Sequence, residues 1–241
     1  KYQGVPCIYV WTGYATMVVS RTGSRRVVQG PATVLLEYDE TLEVLELSTG
    51  TPKSADHALE TVFLRTVNNE VSDQLEVETA DHVRVQLRLS HRVNFEGEPQ
   101  RWFDVENYIK LLCDHVRSVL GAAIKKVRIE EFYARSADII RDVLLGQPGD
   151  GDARPGMLFA ANGMRVCDVE VLAVTIHDER IRGLLDQAQH QVVKSNIDLS
   201  AAQRELEATR QGEQIAQQSA RARQQTRLLQ LALTDELQLK E

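Results

Sequence analysis

The residues that could do chemistry are few. Asp81-His82, with His91 and His115 further along, are the types of an acid/base set, in which a carboxylate orients an imidazole that moves a proton near neutral pH. Their spacing argues otherwise. Neighbours in an extended strand point to opposite faces, so Asp81 cannot orient His82, and His82 and His91 also fall on opposite faces. Both are read as surface or rim histidines. Glu130-Glu131 opens a helical run, where acidic side chains complement the helix dipole. Gly149-Asp150-Gly151 has the flavour of a phosphate loop, but no Gly-Lys-Ser/Thr follows and a helix rather than a strand precedes it. Asp150 and Asp152 could face a calcium ion, yet the closing Glu of an EF-hand is missing. Cys7, Cys113 and Cys167 form no CxxC pair and read as reduced thiols. No catalytic, cofactor-binding or metal-ligating residue is expected, and the chain is not expected to be an enzyme.

The strongest pattern lies elsewhere. Residues 178–241 contain no proline and two glycines, and are rich in Gln, Ala, Leu, Arg and Glu. This predicts one long helix, or rod. Along it Ile181, Leu185, Ala188, Val192, Ser195, Leu199, Ala202, Leu206 and Thr209 alternate in steps of four and three, a 3.5-residue period. The seam slips near Gly212 and resumes at Ile215, Ser219, Ala222, Thr226, Leu229 and Leu233. Alternate seam positions are small, which permits close side-by-side approach. Ile181, Leu185, Ala188, Val192, Leu199, Ala202, Leu206, Ile215, Leu229 and Leu233 are the expected assembly interface. A narrow seam with balanced charge suits many parallel helices in an array; the bland alternative is a two-stranded coiled coil or a solvated linker.

The elements before the rod are shorter. Runs at 7–11, 15–20, 26–28, 33–37 and 43–47 read as strands separated by turns at Thr12-Gly13, Thr22-Gly23-Ser24, Gly30-Pro31 and Tyr38-Asp39. Five strands in so short a span make a small antiparallel unit with a thin core. Residues 48–53 are the expected linker. A strand is expected at 58–66, and 75–95 carries the clearest β signal. There Val83, Val85, Leu87, Leu89, Val93 and Phe95 share one face, and Arg84, Gln86, Arg88, Ser90, Arg92 and Asn94 share the other. Helical spacing follows at Ile109, Leu112, Val116, Val119 and Ala123. A second helix is expected over 129–146, with Phe132, Ala137, Ile140 and Leu144 inward and Gly146 ending it. Residues 147–156 read as a loop. Residues 165–176 read as a strand with Val169, Val171 and Ala173 on one side. The order predicts an α+β fold: a small antiparallel β domain at 1–53, an α+β domain at 54–176, and a long coiled-coil-like helix at 177–241.

Bulk properties exclude some classes. The net charge of −7, with mixed signs throughout, argues against direct nucleic-acid binding. No apolar stretch approaches a membrane span, and 5–10 is too short for a signal-peptide core. The chain starts at Lys1 inside a strand-like run, as a piece of a longer polypeptide would.

Four stretches carry a resemblance. VETADHVRVQLRLSHRVNFE (77–96), VRSVLGAAIKKVRIEEFYARSADIIRDVLLG (116–146) and NGMRVCDVEVLAVTIHDERIRGLLDQAQ (162–189) resemble the shoulder domain of the major vault protein family and the start of its cap helix. RRVVQGPATVLLEYDETLEVLELSTGTPK (25–53) resembles the end of one of that family's β-repeat domains. The middle and end patterns are similar, more loosely, to the stomatin–prohibitin–flotillin (band 7) family. The resemblance implies a repeat domain, a band-7-like shoulder domain and a cap helix. It implies a cytoplasmic structural subunit that assembles with itself into a hollow, ribonucleoprotein-type shell around an enclosed cargo of protein or RNA. The rival it leaves open is a flotillin-like membrane-associated scaffold, for which no apolar anchor is visible. Arg84, Arg88 and Arg92 separate the two readings. In a shell they would pair with acidic residues of the next subunit, such as Glu76 and Glu78; on a bilayer they would meet anionic lipid.

Overall fold

The computed structural model describes residues 7–149 and 153–238. It divides into two compact units, Lys1–Arg182 and Gly183–Glu241. The first is α+β, built of small antiparallel sheets and helices.

Its opening part holds strands β1 (Cys7–Val10), β2 (Tyr14–Ser20), β3 (Arg25–Gln29), β4 (Ala32–Leu35), β5 (Glu40–Leu42), β6 (Leu45–Ser48), β7 (Ala58–Thr61) and β8 (Leu64–Arg65). β1 pairs with β4, β2 lies between β3 and β5, and β6 pairs with β7, all antiparallel. β2 is the hub because both its faces are apolar enough to bury: Ala15, Thr16, Met17 and Val18 are all inside. Val10, Val18 and Val34 form a thin core, finished by Ile8, Tyr14, Val28, Leu36, Leu42 and Phe63. The single strand expected over 58–66 is two. The Thr61 hydroxyl accepts from Phe63 N (3.1 Å) and turns the chain, so β8 leaves β7 and pairs with β2.

The second part is a four-stranded antiparallel sheet in the order β11-β12-β10-β9, comprising β9 (Asn69–Glu78), β10 (Arg84–Phe95), β11 (Met157–Phe159) and β12 (Met164–Ile176). Helices α1 (Tyr108–Ile124) and α2 (Ile129–Leu145) are packed on it, α1 against β9 and α2 against β12. The alternation in β10 follows period two for most of its length: Val85, Leu87, Leu89, Val93 and Phe95 are buried, while Arg84, Arg88 and Arg92 are exposed. Ser90, expected on the wet face, is buried, its hydroxyl donating to Glu70 Oε1 at 3.0 Å. The β signal at 75–95 resolves into β9, a turn at 79–83, and β10.

Two inward assignments shift. On α1 the buried line is Leu112, Val116, Leu120 and Ile124, with Val119 and Ala123 only half-buried. Steps of four, rather than alternating three and four, rotate the stripe by one residue. On α2 Ala137 is exposed although Phe132, Ile140 and Leu144 are buried. The helix departs from regular geometry at Arg135 (φ −133°, ψ 29°), and the following turn changes phase. β12 changes faces in the same way. Its register against β10 slips between Arg88 and Leu89 and between Arg92 and Val93. Those bulges bury Val169 but turn Ala173 out to solvent. Gly146 ends α2 at φ +81°, as expected for a residue past a helix C-terminus.

Helix α3 (Glu179–Gln238) runs 60 residues, about 90 Å at the usual rise. Asp178 caps it: one carboxylate oxygen accepts from Arg180 N (2.9 Å) and Ile181 N (3.2 Å).

Candidate assembly surfaces

Helix α3 presents the expected seam. Among its described side chains Ile181 is half-buried and Leu185 is buried at 7% exposure. Beyond them the seam is open: Val192 and Leu199 are each 59% exposed, Leu206 56% and Ile215 66%, and Ala188 and Ala202 are exposed too. Leu229 and Leu233 lie on the helix, but their side chains fall outside the described ones. Two small polar residues bond back within the rod: Thr209 Oγ1 donates to Glu205 O (2.8 Å) and Ser219 Oγ to Ala216 O (2.9 Å). The rod meets its own backbone needs and leaves its apolar needs unmet. Each leucine in water forgoes about 1.5–3 kcal/mol that burial would supply.

The wet face of the four-stranded sheet is charged in stripes. β9 contributes Glu70, Glu76 and Glu78, β10 contributes Arg84, Arg88 and Arg92, and β12 contributes Asp168 and Glu170. Arg92 Nη2 lies 3.4 Å from Glu170 Oε1 within the chain. Glu78 takes His82 Nδ1 at 2.9 Å, and Glu76 takes His177 Nε2 at 3.5 Å. The hydrogen bond from His82 holds the Glu78 carboxyl below its ordinary range, aided by the nearby charges of Lys125 and Arg84. A shallow cleft of about 250 Å³ opens here, lined by Glu76, Val77, Glu78, Arg84, Gly121 and Lys125. The two acids expected to face a neighbour's arginines therefore already have histidine partners in their own chain.

The candidate chemistry residues take structural places. Asp81 and His82 stand in the turn between β9 and β10, with His82 at φ +61°, so the opposite-face argument does not apply to them. Asp81 instead caps α2. Its carboxylate accepts the Thr79 hydroxyl (2.5 Å) and Ile129 N (3.2 Å to each oxygen). Glu130 and Glu131 occupy the first turn of α2. His91 is not at the rim. It is fully buried, with Nδ1 3.1 Å from Val71 O and Nε2 without a hydrogen-bond partner among the described residues. Its place between Leu89 and Val93 puts it on the apolar face of β10, so the alternation itself carries the signal that it is buried. His115 is exposed, its ring edge-on to Phe159 at 5.2 Å. Cys113 is buried, and desolvation together with the charge and hydrogen bonding of Asp73 pushes its thiol up to about 12, so it stays protonated. Asp150 and Asp152 lie outside the described residues. Among the described residues no three His, Cys, Asp or Glu side chains converge as metal ligands, and no helix is long and apolar enough to cross a membrane.

Fold and surfaces together define an α+β protein of small antiparallel sheets and a helix-backed four-stranded sheet, continued by a helix with an open apolar seam. Two family profiles match it in succession: one described as the Major Vault Protein Repeat domain over residues 16–65, and one described as the Shoulder domain over 67–178. The chain is 30% identical over 219 residues to "Major vault protein beta" of Dictyostelium discoideum, covering 90% of this chain and 25% of that protein. It is 32% identical to "Major vault protein" of Leishmania braziliensis over 205 residues, 83% of this chain and 24% of that one. Against "Major vault protein" of Gallus gallus it is 32% identical over 196 residues, 79% and 22% of the respective chains. The chain belongs to the major vault protein family, carrying a repeat domain followed by a shoulder domain. It spans about a quarter of the length of the curated relatives it matches.

Proposed function

We propose that this chain is part of the structural subunit of a large, hollow, vault-like shell in the cytoplasm, and that it works by self-assembly rather than catalysis. Copies stand side by side, and their rods gather into the ring that caps the shell. The reading gives the chain a repeat domain, a band-7-like shoulder domain and a coiled-coil-like cap helix. Its principal partner is itself; the enclosed cargo is protein or RNA.

One observation carries the proposal: a 60-residue helix whose regularly spaced apolar residues beyond Leu185, among its described side chains, remain in water. An exposed seam of that length is an interface awaiting an occupant. A 3.5-residue spacing suits another helix lying alongside. Ile181, Leu185, Ala188, Val192, Leu199, Ala202, Leu206, Ile215, Leu229 and Leu233 form that interface in the assembled particle. Ring closure repeats the contact at every subunit, so a modest energy per helix accumulates. Sedimentation velocity tests this. Wild-type protein should run as large particles, and Leu199→Asp and Leu206→Asp should run as small oligomers with an unchanged circular dichroism signal from the sheet. Large particles from both variants would rule the seam out.

A further inference from the structure

The stretch 48–53 reads as a linker in the sequence, yet the structure puts it at the end of β6 and in the loop of a hairpin. Ser48 faces Ala58 across the β6–β7 pair, and Thr49 N donates to His57 O at 2.8 Å. This hairpin belongs to the region matched by the repeat domain, and its tip reaches residues of the region matched by the shoulder domain. Lys53 N donates to Asp73 Oδ1 at 2.8 Å. Ser48 N donates to Asn107 Oδ1 (3.3 Å), and Asn107 Nδ2 donates back to Ser48 Oγ (2.9 Å).

Both receiving side chains are tied into the shoulder core. Asp73 projects from the inward face of β9, is 1% exposed, and also takes Arg117 Nη2 of α1 at 3.3 Å. Asn107 caps α1, accepting Lys110 N at 2.9 Å. A buried carboxylate is costly without full hydrogen bonding, and here one of its bonds comes from the other domain's backbone. The hairpin tip thus completes a polar set that the shoulder domain leaves open.

Two further ties cross the same junction. Thr66 N and Oγ1 both donate to Gly13 O (2.8 and 3.1 Å), while Thr66 O accepts Phe95 N (2.8 Å). Arg25 Nη1 lies 3.4 Å from Asp104 Oδ1.

We infer that the β6–β7 hairpin is a clasp that sets the junction between repeat and shoulder domains, with Asp73 and Asn107 as its anchors. The junction is then a rigid joint rather than a flexible tether, so the direction in which one domain follows the other is fixed within each chain before copies meet.

Hydrogen exchange read by mass spectrometry on the whole chain tests this with two variants. In the first, a two-residue Asn-Gly turn replaces 50–56, removing the tip while leaving the shoulder domain intact. The second is Asp73→Asn. With the clasp open, exchange should rise by roughly fivefold to tenfold not only near β6 and β7 but also at Thr66 and Phe95, the other tie across the junction, while α2 keeps its wild-type rate. If Asp73→Asn unfolds the domain, the turn replacement alone decides. Faster exchange confined to the hairpin overturns the inference, because the junction would then hold without it. Faster exchange spread evenly through α1 and α2 overturns it as well, because the hairpin would then be a general requirement for folding rather than a joint.

Discussion

The four-stranded sheet and the rod solve opposite problems. The sheet buries one face of β9, β10 and β12 under α1 and α2, so that Leu87, Leu89, Leu112, Leu120, Phe132 and Ile140 are all sealed within one chain. Beyond Leu185, the rod's described seam residues Val192, Leu199, Leu206 and Ile215 all stay exposed. The first is finished by its own long-range contacts. The second is finished in its hydrogen bonding and unfinished in its packing. The lesson is that an apolar residue's role depends on what its own chain can bring to it: in the sheet a leucine stabilises the fold, and on the rod, in the proposed assembly, a leucine would select a partner.

The comparison breaks most sharply in the sheet core. Phe132→Ala should destabilise the globular part by about 3–5 kcal/mol in denaturant unfolding, since it empties the space between α2 and the sheet. A cost near zero would mean that this core is not the self-sufficient half.

A smaller effect sharpens the local account. Asp81→Ala should cost about 1 kcal/mol by uncapping α2. Burial pushes the Asp81 carboxyl up, but the Thr79 hydroxyl, the Ile129 N–H and the nearby Arg128 together outweigh it, so its folded pKa is depressed. Its contribution is therefore present above the ordinary carboxylate range and lost as pH falls through the folded value. The variant should show a flatter acid limb in a melting-temperature profile.

His91 gives a second pH signature of opposite chemistry. Burial lowers its pKa below the ordinary 6.5, with the Val71 carbonyl and Asp73 opposing only in part. The folded protein prefers the neutral ring, so stability falls as pH drops below about 6.5 and protons bind the unfolded chain more readily. His91→Phe should remove that slope between pH 6.5 and its lower end. A slope retained in full would place its origin elsewhere.

The smallest effect belongs to the wet face. Arg92→Ala breaks an ion pair whose partners are both about half exposed, and should change stability by less than about 0.5 kcal/mol in thermal melts. A larger loss would show that this face is covered when the protein is measured.

Much of this was legible in the sequence wherever period decides structure. The alternation of β10, the cap at Gly146, the long helix and its seam all follow from spacing. What period could not show was tertiary. The bulges that turn Ala173 outward depend on pairing with β10. The turn that makes Asp81 a helix cap depends on α2 arriving beside it. His91, by contrast, shares the buried face of β10 with Leu89 and Val93, so period two did mark it as inward and the rim reading went against that signal. The hairpin tip at 48–53 has the composition of a linker, and only its contact with Asp73 and Asn107 shows otherwise.

The most direct test of the division of labour is amide hydrogen exchange on wild-type protein and on Leu199→Asp. In assembled wild type, the amides of both the sheet and the rod should be protected. In the dispersed variant, β9, β10 and β12 should keep their protection while α3 loses most of its own, since a lone helix in water opens readily without packing. Equal protection of α3 in both states would contradict the account, because the rod would then be complete without a neighbour.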